Sequence, residues 1–508
     1  MLSKIKSAAV IGLDCKEVEV EADASGGNLP SLTIVGLADT AIQESRDRIQ
    51  PAIKNSGIPF PQRHITINLA PADLKKEGPS YDLPTAVAIL IASGKINPIT
   101  DEIVNKSLFV GELSLDGKLR HINGVLPITI FAKQRGLKRI FLPKINACEA
   151  SFIPGIDIMP INSLSELTDC LEGRIDIKPF LLKEPEEKEP NEKPEFDMAY
   201  VKGQEQAKRA LEISAAGGHN VLMSGPPGAG KTLLARTLPT ILPKLTTDES
   251  LEATKIYSIA GLLPPDSPIV RQRPFRSPHH TASGVALVGG GAWPRPGEIS
   301  LAHRGVLFLD EFPEFTRQVL ENLRQPLEDG IVTISRAQGS LTFPAKFILV
   351  AAMNPCPCGF STDPEKECTC TPIEIARYQK RISGPLLDRI DIQIEVPRVK
   401  LEKLTTQELS ESSKEIRERV QNARKIQEER FKNEKIVCNS EMGSEATKKY
   451  CAIDSQILEF LKSAITQLHL SARAYFRILK LSRTIADLEQ NDRIKKEYIA
   501  EAIQYRIK

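Results

Sequence analysis

The chain has 508 residues, of which 41% are hydrophobic and 26% are charged, a composition typical of globular rather than disordered proteins. Its net charge of +2 neither requires nor excludes a polyanionic partner, and no apolar run approaches the length of about 18 residues that predicts a membrane span. The apolar run AAVIGL near the N-terminus is too short for a signal peptide. We therefore expect a cytoplasmic protein with about three domains, at roughly 150 residues a domain.

The first part of the chain alternates β-prone runs with helical patterns. The predicted strands are SLTIVGL, HITINLA, SLFVGEL and RIFLP, which are rich in β-branched and aromatic residues. These runs predict an α/β or α+β domain over residues 1–180. The charged, proline-containing segment LLKEPEEKEPNEKPEFD follows and predicts an acidic, solvated linker at 181–197.

The second part of the chain has the pattern of a parallel sheet followed by long helices. The runs HNVLMS, GVLFLD and KFILVAA are nearly continuously apolar, as is typical of strands buried on both faces. Helical patterns between them predict a doubly wound α/β core at 198–398. Long amphipathic patterns then predict a helical domain at 399–508. The basic excess lies after residue 197 and permits binding to a polyanion.

The motif GPPGAGKT is the strongest signal, because it lies between a predicted strand and a predicted helix. In such a loop the glycines let backbone NH groups wrap phosphates, and the helix N-terminus favours an anion. The lysine would contact the β- and γ-phosphates, and the threonine hydroxyl would bind Mg²⁺. The motif therefore predicts ATP and Mg²⁺ at Gly225, Pro226, Pro227, Gly228, Ala229, Gly230, Lys231 and Thr232.

A second acidic motif completes the predicted nucleotide site. The apolar run VLFL ends in two adjacent acids, Asp310 and Glu311. Asp310 is predicted to hold the Mg²⁺ shell, and Glu311 is predicted to activate the attacking water as a general base.

With these motifs the chain resembles the YifB/ComM family of magnesium-chelatase-like AAA+ ATPases. The resemblance covers nearly the whole chain and also rests on PADLKKEGPSYDLPTA, FRSPHHTASGVALVGGG, AAMNPCPCGF, RISGPLLDRID and LSARAYFRILKLSRTIADL. It implies an AAA+ parallel-sheet core, a C-terminal helical lid and an N-terminal α/β domain like that of Lon proteases, with a ribosomal-protein-S5-like fold.

The resemblance also implies a function. It implies a homo-oligomeric ring, a hexamer, that hydrolyses ATP and acts on single-stranded or branched DNA. The implied activity is branch migration during homologous recombination and natural transformation. The AAA+ motifs alone leave two alternatives open, a metal-insertion ATPase of the magnesium-chelatase type and a protein-remodelling ATPase.

Three further site residues follow from the resemblance. Asn354 resembles sensor 1, which would orient the lytic water, and Arg389 resembles an arginine finger that reaches a neighbouring subunit. Arg473 resembles sensor 2 on the helical lid. Arg381 and Arg477 are the alternatives for the two arginine roles.

Two inserts resemble elements of related AAA+ motors, the first an insert in the second helix and the second a hairpin that faces the central pore, with structural rims as the alternative for both. The first, 277–298, is rich in glycine and contains His279, His280 and Trp293. The second, GIVTISRAQGSLTFPAK at 330–346, predicts a β-hairpin. Arg336 within it is a candidate DNA contact.

Four of the nine cysteines are clustered, which suggests a metal site rather than a disulfide scaffold. Four thiolates so close in sequence can close a tetrahedral site, and zinc is favoured over an iron–sulfur cluster. Free thiols or a redox pair are the alternative. The predicted zinc ligands are Cys356, Cys358, Cys368 and Cys370. Such a metal could stiffen the segment between Asn354 and Arg389.

The first domain resembles the proteolytic domain of Lon proteases but lacks the expected base. Ser80 stands where those enzymes have their nucleophile, and Leu126 stands where their lysine would be, while Lys118 and Lys133 lie outside the pattern. A serine nucleophile needs a base. We therefore predict a non-proteolytic domain that contacts DNA or assembles the ring, with Ser80 or Asp82 acting as a helix cap.

Overall fold

The computed structural model describes residues 2–25, 31–35, 40–74, 76, 78–181, 195–264, 267–291, 294–336, 339–399 and 410–506. They form two compact units: Met1–Lys188 with Leu251–Val270, and Glu189–Ser250 with Arg271–Lys508. Most of the predicted linker and Trp293 lie outside the described residues. None of the described helices is long and apolar enough to cross a membrane.

The first unit contains a four-stranded and a three-stranded sheet. In sheet order, the first consists of Leu2–Ile11, Asp14–Ser25, His64–Ala70 and Ser31–Val35. Its first two pairings are antiparallel and its last is parallel. The second sheet is parallel and consists of Ser107–Phe109, Arg139–Pro143 and Asp157–Ile161. A short ribbon pairs Glu112–Leu113 with Leu119–Arg120.

The helices of the first unit pack against these sheets. They are Thr40–Asn55, Asp82–Ala92, Asp101–Asn105, Val125–Gln134, Ala147–Ala150 and Leu164–Leu171, and a further helix, Thr247–Ala260, includes residues of both units. Asp82–Ala92 is buried on nearly all sides, as its apolar sequence dictates. Segment 251–270 is tied to this unit through Ser258, whose hydroxyl donates to the buried Glu149 carboxylate.

Two local predictions in the first unit are wrong. SLFVGEL is not one strand, because the backbone NH of Val110 is the last to bond the neighbouring strand, at Phe141, and the NH of Gly111 bonds Ser80 outside the sheet. Neither Ser80 nor Asp82 caps the helix, whose N-cap is Tyr81. The carboxylate of Asp82 is fully buried and instead accepts from Arg48 at 3.0 Å, since a buried charge needs a partner.

The second unit is built on a five-stranded, wholly parallel sheet. In sheet order its strands are Phe275–Arg276, Val306–Leu309, Ile348–Met353, Val221–Ser224 and Ile392–Glu395. The three interior strands are entirely buried, as their apolar runs predict, whereas the edge strand Ile392–Glu395 is buried at only two of its four residues. The predicted hairpin is confirmed, with Ile331–Arg336 antiparallel to Gly339–Pro344. A short ribbon pairs Gly289–Gly290 with Arg295–Pro296.

Helices cover the sheet and form the C-terminal region. Those of the core are Glu205–Gly217, Lys231–Ile241, Gly284–Val288, Glu298–Leu301, Arg317–Glu321, Arg324–Asp329, Pro372–Gln379 and Gly384–Leu387. The C-terminal ones are Ser413–Arg430, Ser444–Tyr450, Ser455–Gln467, Ala472–Leu488 and Lys496–Gln504. One hydrophobic core joins both sets, since Val420 and Ile485 share it with Val221 and Leu234. The predicted fold class, α/β with a parallel sheet and a helical C-terminal region, is confirmed.

Candidate nucleotide-binding site

The glycine-rich loop lies at the carboxyl edge of the parallel sheet, between strand Val221–Ser224 and helix Lys231–Ile241. Gly228 and Gly230 have φ of 78° and 88°, a region that favours glycine. A Cβ at either position would meet nothing within 4 Å, whereas one at Gly225 would overlap the carbonyl oxygen of Val396. The loop is thus an open backbone cradle at a helix N-terminus, and its donors fit a phosphate chain.

Lys231 connects this loop to the predicted sensor residue. Its side chain is only 8% exposed, and burial lowers its pKa. The Nζ donates to the carbonyl oxygens of Gly225 and Pro226 at 2.7 and 3.0 Å and to Oδ1 of Asn354 at 3.2 Å. Asn354 follows strand Ile348–Met353, which neighbours the loop's own strand. The structure therefore brings Lys231 and Asn354 together.

The two predicted magnesium ligands also meet. The hydroxyl of Thr232 donates to Oδ2 of Asp310 at 2.9 Å. Asp310 directly follows strand Val306–Leu309. A hydroxyl and a carboxylate at one point are oxygen donors of the kind that Mg²⁺ prefers, so this pair fits that ion.

Glu311 has a partner that the sequence analysis missed. It lies in the left-handed region with φ of 50°, and its Oε2 is 2.9 Å from Nδ1 of His280. The His280 ring also lies 4.1 Å from the tilted ring of His279 and meets Phe315 edge to face. Strand Phe275–Arg276 lies parallel to Val306–Leu309, so the residues after both strands reach one edge of the sheet. The rule that residues following neighbouring parallel strands meet at one sheet edge could have predicted the contact between His280 and Glu311 from the sequence.

The predicted arginine finger lies at the opposite edge of the sheet. Arg389 precedes strand Ile392–Glu395, whose partner Val221–Ser224 leads into the glycine-rich loop. A strand of four residues is about 13 Å long, so Arg389 is separated from the glycine-rich loop of its own chain by about the length of the strand. The guanidinium of Arg389 is buried, donating to Pro385 O at 2.7 Å and to the Glu328 carboxylate. The hydrogen bond from Arg389 lowers the pKa of Glu328.

Arg473 and the two alternative arginines have different surroundings. Arg473 is exposed in helix Ala472–Leu488. One turn later Arg477 bonds the Asp391 carboxylate and also donates to the carbonyl of Arg389 at 2.9 Å. Arg381 instead bonds Glu314 at 2.6 Å, on the segment that follows Glu311. The roles of these arginines in hydrolysis stay predictions.

The four clustered cysteines converge. Their sulfur atoms all lie within 4.8 Å of one another, and the separations among Cys356, Cys358 and Cys368 are 3.4, 3.6 and 3.7 Å. Tetrahedral zinc with Zn–S bonds of about 2.3 Å requires separations of about 3.8 Å, whereas a disulfide is about 2.05 Å long. The backbone NH of Phe360 lowers the pKa of the Cys358 thiol to about 5, whereas desolvation and the neighbouring thiols raise the pKa of Cys368 and that of Cys370. The donor set is compatible with structural zinc.

Family models match almost the whole chain. The model for magnesium chelatase, subunit ChlI, matches residues 197–404, a second model for the ChlI subunit of magnesium chelatase matches 20–146, and the ChlI C-terminal model matches 410–506. The three matches together cover both the glycine-rich loop and the C-terminal helices.

Individual relatives extend this likeness. The chain is 43% identical to YifB of Escherichia coli and 43% identical to competence protein ComM of Haemophilus influenzae, in each case over 99% of this chain and 97% of the relative. It is also 29% identical to Lon protease 2 of Thermus thermophilus, over 28% of this chain and 18% of that protease.

Proposed function

Because the chain belongs to the YifB/ComM family of magnesium-chelatase-like AAA+ proteins, we propose that it is an ATP-driven ring motor that acts on DNA. The observation that carries this proposal is the assembled site, in which Lys231 contacts Asn354 and Thr232 contacts Asp310. The family itself suggests ATPase activity. Its competence-linked member supports DNA as the substrate, because competence is a state of DNA uptake, and branch migration during recombination is the activity we propose.

In the proposed mechanism the side chains of one subunit bind and orient the nucleotide. Lys231 exchanges its bonds to the Gly225 and Pro226 carbonyls for bonds to phosphate oxygens, while Thr232 and Asp310 hold the cation. Mg²⁺, when bound, neutralises charge on the phosphates. Glu311 accepts the proton of the attacking water, and Asn354 orients that water. For this, the Glu311 carboxylate must leave Nδ1 of His280, which lies 2.9 Å away.

Hydrolysis in this proposal requires a neighbouring subunit, and the ring is a homohexamer. The position of Arg389 at the amino edge of the sheet, opposite its own glycine-rich loop, supports action on a neighbour's nucleotide. Its bond to Glu328 must break before it can reach across. Arg473, exposed on the helix beside it, is proposed to act with it. An arginine supplied in this way stabilises the negative charge of the transition state.

DNA is proposed to pass along the hairpin Ile331–Arg336 and Gly339–Pro344. The side chain of Arg336 lies outside the described residues, so its contact with DNA rests on its position at the end of the first strand. Contacts made mainly to phosphates predict binding that weakens with salt and depends little on sequence.

The test is ATP hydrolysis by the full-length protein with single-stranded DNA, branched DNA or no DNA, at two salt concentrations. We expect DNA to stimulate hydrolysis and high salt to abolish the stimulation. Glu311→Gln is the control, because it retains the nucleotide loop but removes the base. Hydrolysis indifferent to DNA would refute the DNA motor and favour a chelatase-type ATPase, the reading that the ChlI family models support.

A further inference from the structure

The loop that carries the clustered cysteines cannot hold its own shape by hydrophobic packing. Its sequence, CPCGFSTDPEKECTC, contains a single large apolar side chain, Phe360. Such a short polar segment needs a crosslink or a metal to become ordered. The convergent sulfur atoms of this loop supply four thiol donors at the spacing of a tetrahedral site.

This cysteine loop, residues 356–370, rests directly on the nucleotide loop. Gly359 has φ of 86°, and a Cβ built on it would lie 2.6 Å from Cδ of Pro227 and 3.8 Å from Cγ of Asn354. Its NH bonds back to the Cys356 carbonyl at 3.0 Å and closes a turn between two of the cysteines. The backbone of the turn is therefore held against the second proline of GPPGAGKT, at a distance that only glycine permits.

Two further contacts link the cysteine loop and its preceding residues to the surroundings of the nucleotide loop. Asn354, two residues before Cys356, accepts from Nζ of Lys231 at 3.2 Å. Within the cysteine loop, the buried Asp363 carboxylate lies 3.1 Å from Nε of Arg398.

Arg398 belongs to a segment that supports the first glycine of the nucleotide loop. Two residues earlier, the NH of Val396 donates to the Ser224 carbonyl at 2.7 Å. The carbonyl oxygen of Val396 lies so close to Gly225 that a Cβ there would overlap it. The cysteine loop thus contacts the nucleotide loop directly at Pro227, and is linked to it indirectly through Asn354, which bonds Lys231, and through Arg398, whose segment packs against Gly225.

We infer that the cysteine loop is a zinc site that holds the nucleotide loop in its binding conformation, so that zinc and nucleotide bind cooperatively. Zinc binding orders the turn at Gly359 and the segment after Asn354, and both contact the phosphate cradle. Because coupling between two binding sites is reciprocal, bound nucleotide strengthens zinc binding by the same factor. Such couplings typically reach about 5- to 150-fold. This inference rests on the proposed function only in requiring that GPPGAGKT binds a nucleotide.

The experiment measures zinc content and nucleotide affinity separately in the full-length protein. Metal is quantified by atomic spectrometry, and the Kd of a fluorescent ADP analogue is measured before chelation, after chelation and after zinc is restored. We expect one zinc per chain and a Kd about 10-fold higher without metal, with recovery on adding zinc. Absence of bound zinc, or an unchanged Kd in metal-free protein, would overturn the inference.

Two variants separate metal binding from its coupling to the nucleotide. Cys368→Ser with Cys370→Ser removes two ligands and should lose the zinc. Gly359→Ala keeps all four thiols but pushes the turn away from Pro227, so it should retain zinc and still raise the Kd. Gly384→Ala is the matched control, because a Cβ there meets nothing within 4 Å, and it should change neither quantity.

The outcomes distinguish this inference from the proposed function. If the zinc-loaded wild-type protein binds no nucleotide, the proposed function fails. If it binds nucleotide but Gly359→Ala has the wild-type Kd, only the coupling fails. If the double cysteine variant does not fold, chelation and Gly359→Ala still test the coupling between zinc and nucleotide, since neither removes a cysteine.

Discussion

Replacing Asp391 by asparagine should destabilise the second unit by removing the negative charge from a buried ionic cluster. The Asp391 side chain is 6% exposed and bonds the guanidinium of Arg477. It also accepts from the Asn220 NH at 3.2 Å and lies 3.4 Å from Nδ1 of His219. Burial by itself would raise the pKa of Asp391, but the charge of Arg477, the contact with His219 and the charge of Arg506 hold it well below its usual range.

The magnitude follows from the charge that is left without its partner. Removing one partner of a buried ion pair lowers the free energy of unfolding by about 3–5 kcal/mol, because the remaining charge stays desolvated. Arg477 retains 21% exposure of its side chain, so solvent relieves part of the penalty and we expect about 3 kcal/mol. At about 2 °C or more for each kcal/mol in domains of this size, the melting transition should fall by about 6 °C.

The assay is thermal unfolding of full-length Asp391→Asn at neutral pH, with Asp388→Asn as the matched control. Asp388 is three residues away and half-buried, and we expect its substitution to shift the transition by less than about 2 °C. A third variant, Arg477→Met, and the double variant complete the cycle. The double variant should cost less than the sum of the two single ones, because removing both partners leaves no stranded charge.

The stability that Asp391 contributes changes with pH in a defined direction. Because the folded-state pKa of Asp391 lies below its unfolded value of about 3.8, its stabilisation is present above that value and is lost as the pH falls through the folded-state pKa. Wild type and Asp391→Asn should therefore differ most at neutral pH and converge in strong acid. A wild-type melting temperature for Asp391→Asn, or strict additivity in the cycle, would refute the reasoning.

Three further changes test the nucleotide site. Glu311→Gln should lower ATP hydrolysis about 10²- to 10⁴-fold, the usual contribution of a general base, while ADP affinity stays near wild type; a normal rate would remove Glu311 from that role. Gly225→Ala should abolish nucleotide binding and cost about 1–3 kcal/mol, because its Cβ would overlap the Val396 carbonyl; retained binding would contradict that packing. Arg389→Ala should be inactive alone but regain hydrolysis when mixed with Glu311→Gln, since an interface can then combine a wild-type base with a wild-type arginine; mixtures without activity would contradict action between subunits.

The local motifs of the second unit could be predicted because their chemistry is encoded in consecutive residues. An apolar strand, a glycine turn and a helix start within a few residues define the loop that ends at Lys231. The hairpin of Ile331–Arg336 likewise follows from two β-prone runs around a short polar turn. The spacing of the cysteines also predicted that their thiols could meet, and their sulfur atoms converge.

Contacts between distant residues were decided only by the tertiary structure. Strand order brings His280 to Glu311 and puts Arg389 at the edge opposite the glycine-rich loop. Burial pairs Asp82 with Arg48 instead of leaving it as a helix cap.

The difference between what the sequence predicts and what only the tertiary structure decides has a physical cause. Backbone conformation and hydrophobic periodicity depend on neighbours in the chain, so the sequence by itself determined the three interior strands of the parallel sheet, the phosphate loop and the fold class. Which side chains meet depends on the order of strands in a sheet and on the desolvation of charges, and these are set by the packing of segments far apart in sequence. The contact of Gly359 with Pro227, 132 positions apart in the chain, is of this second kind.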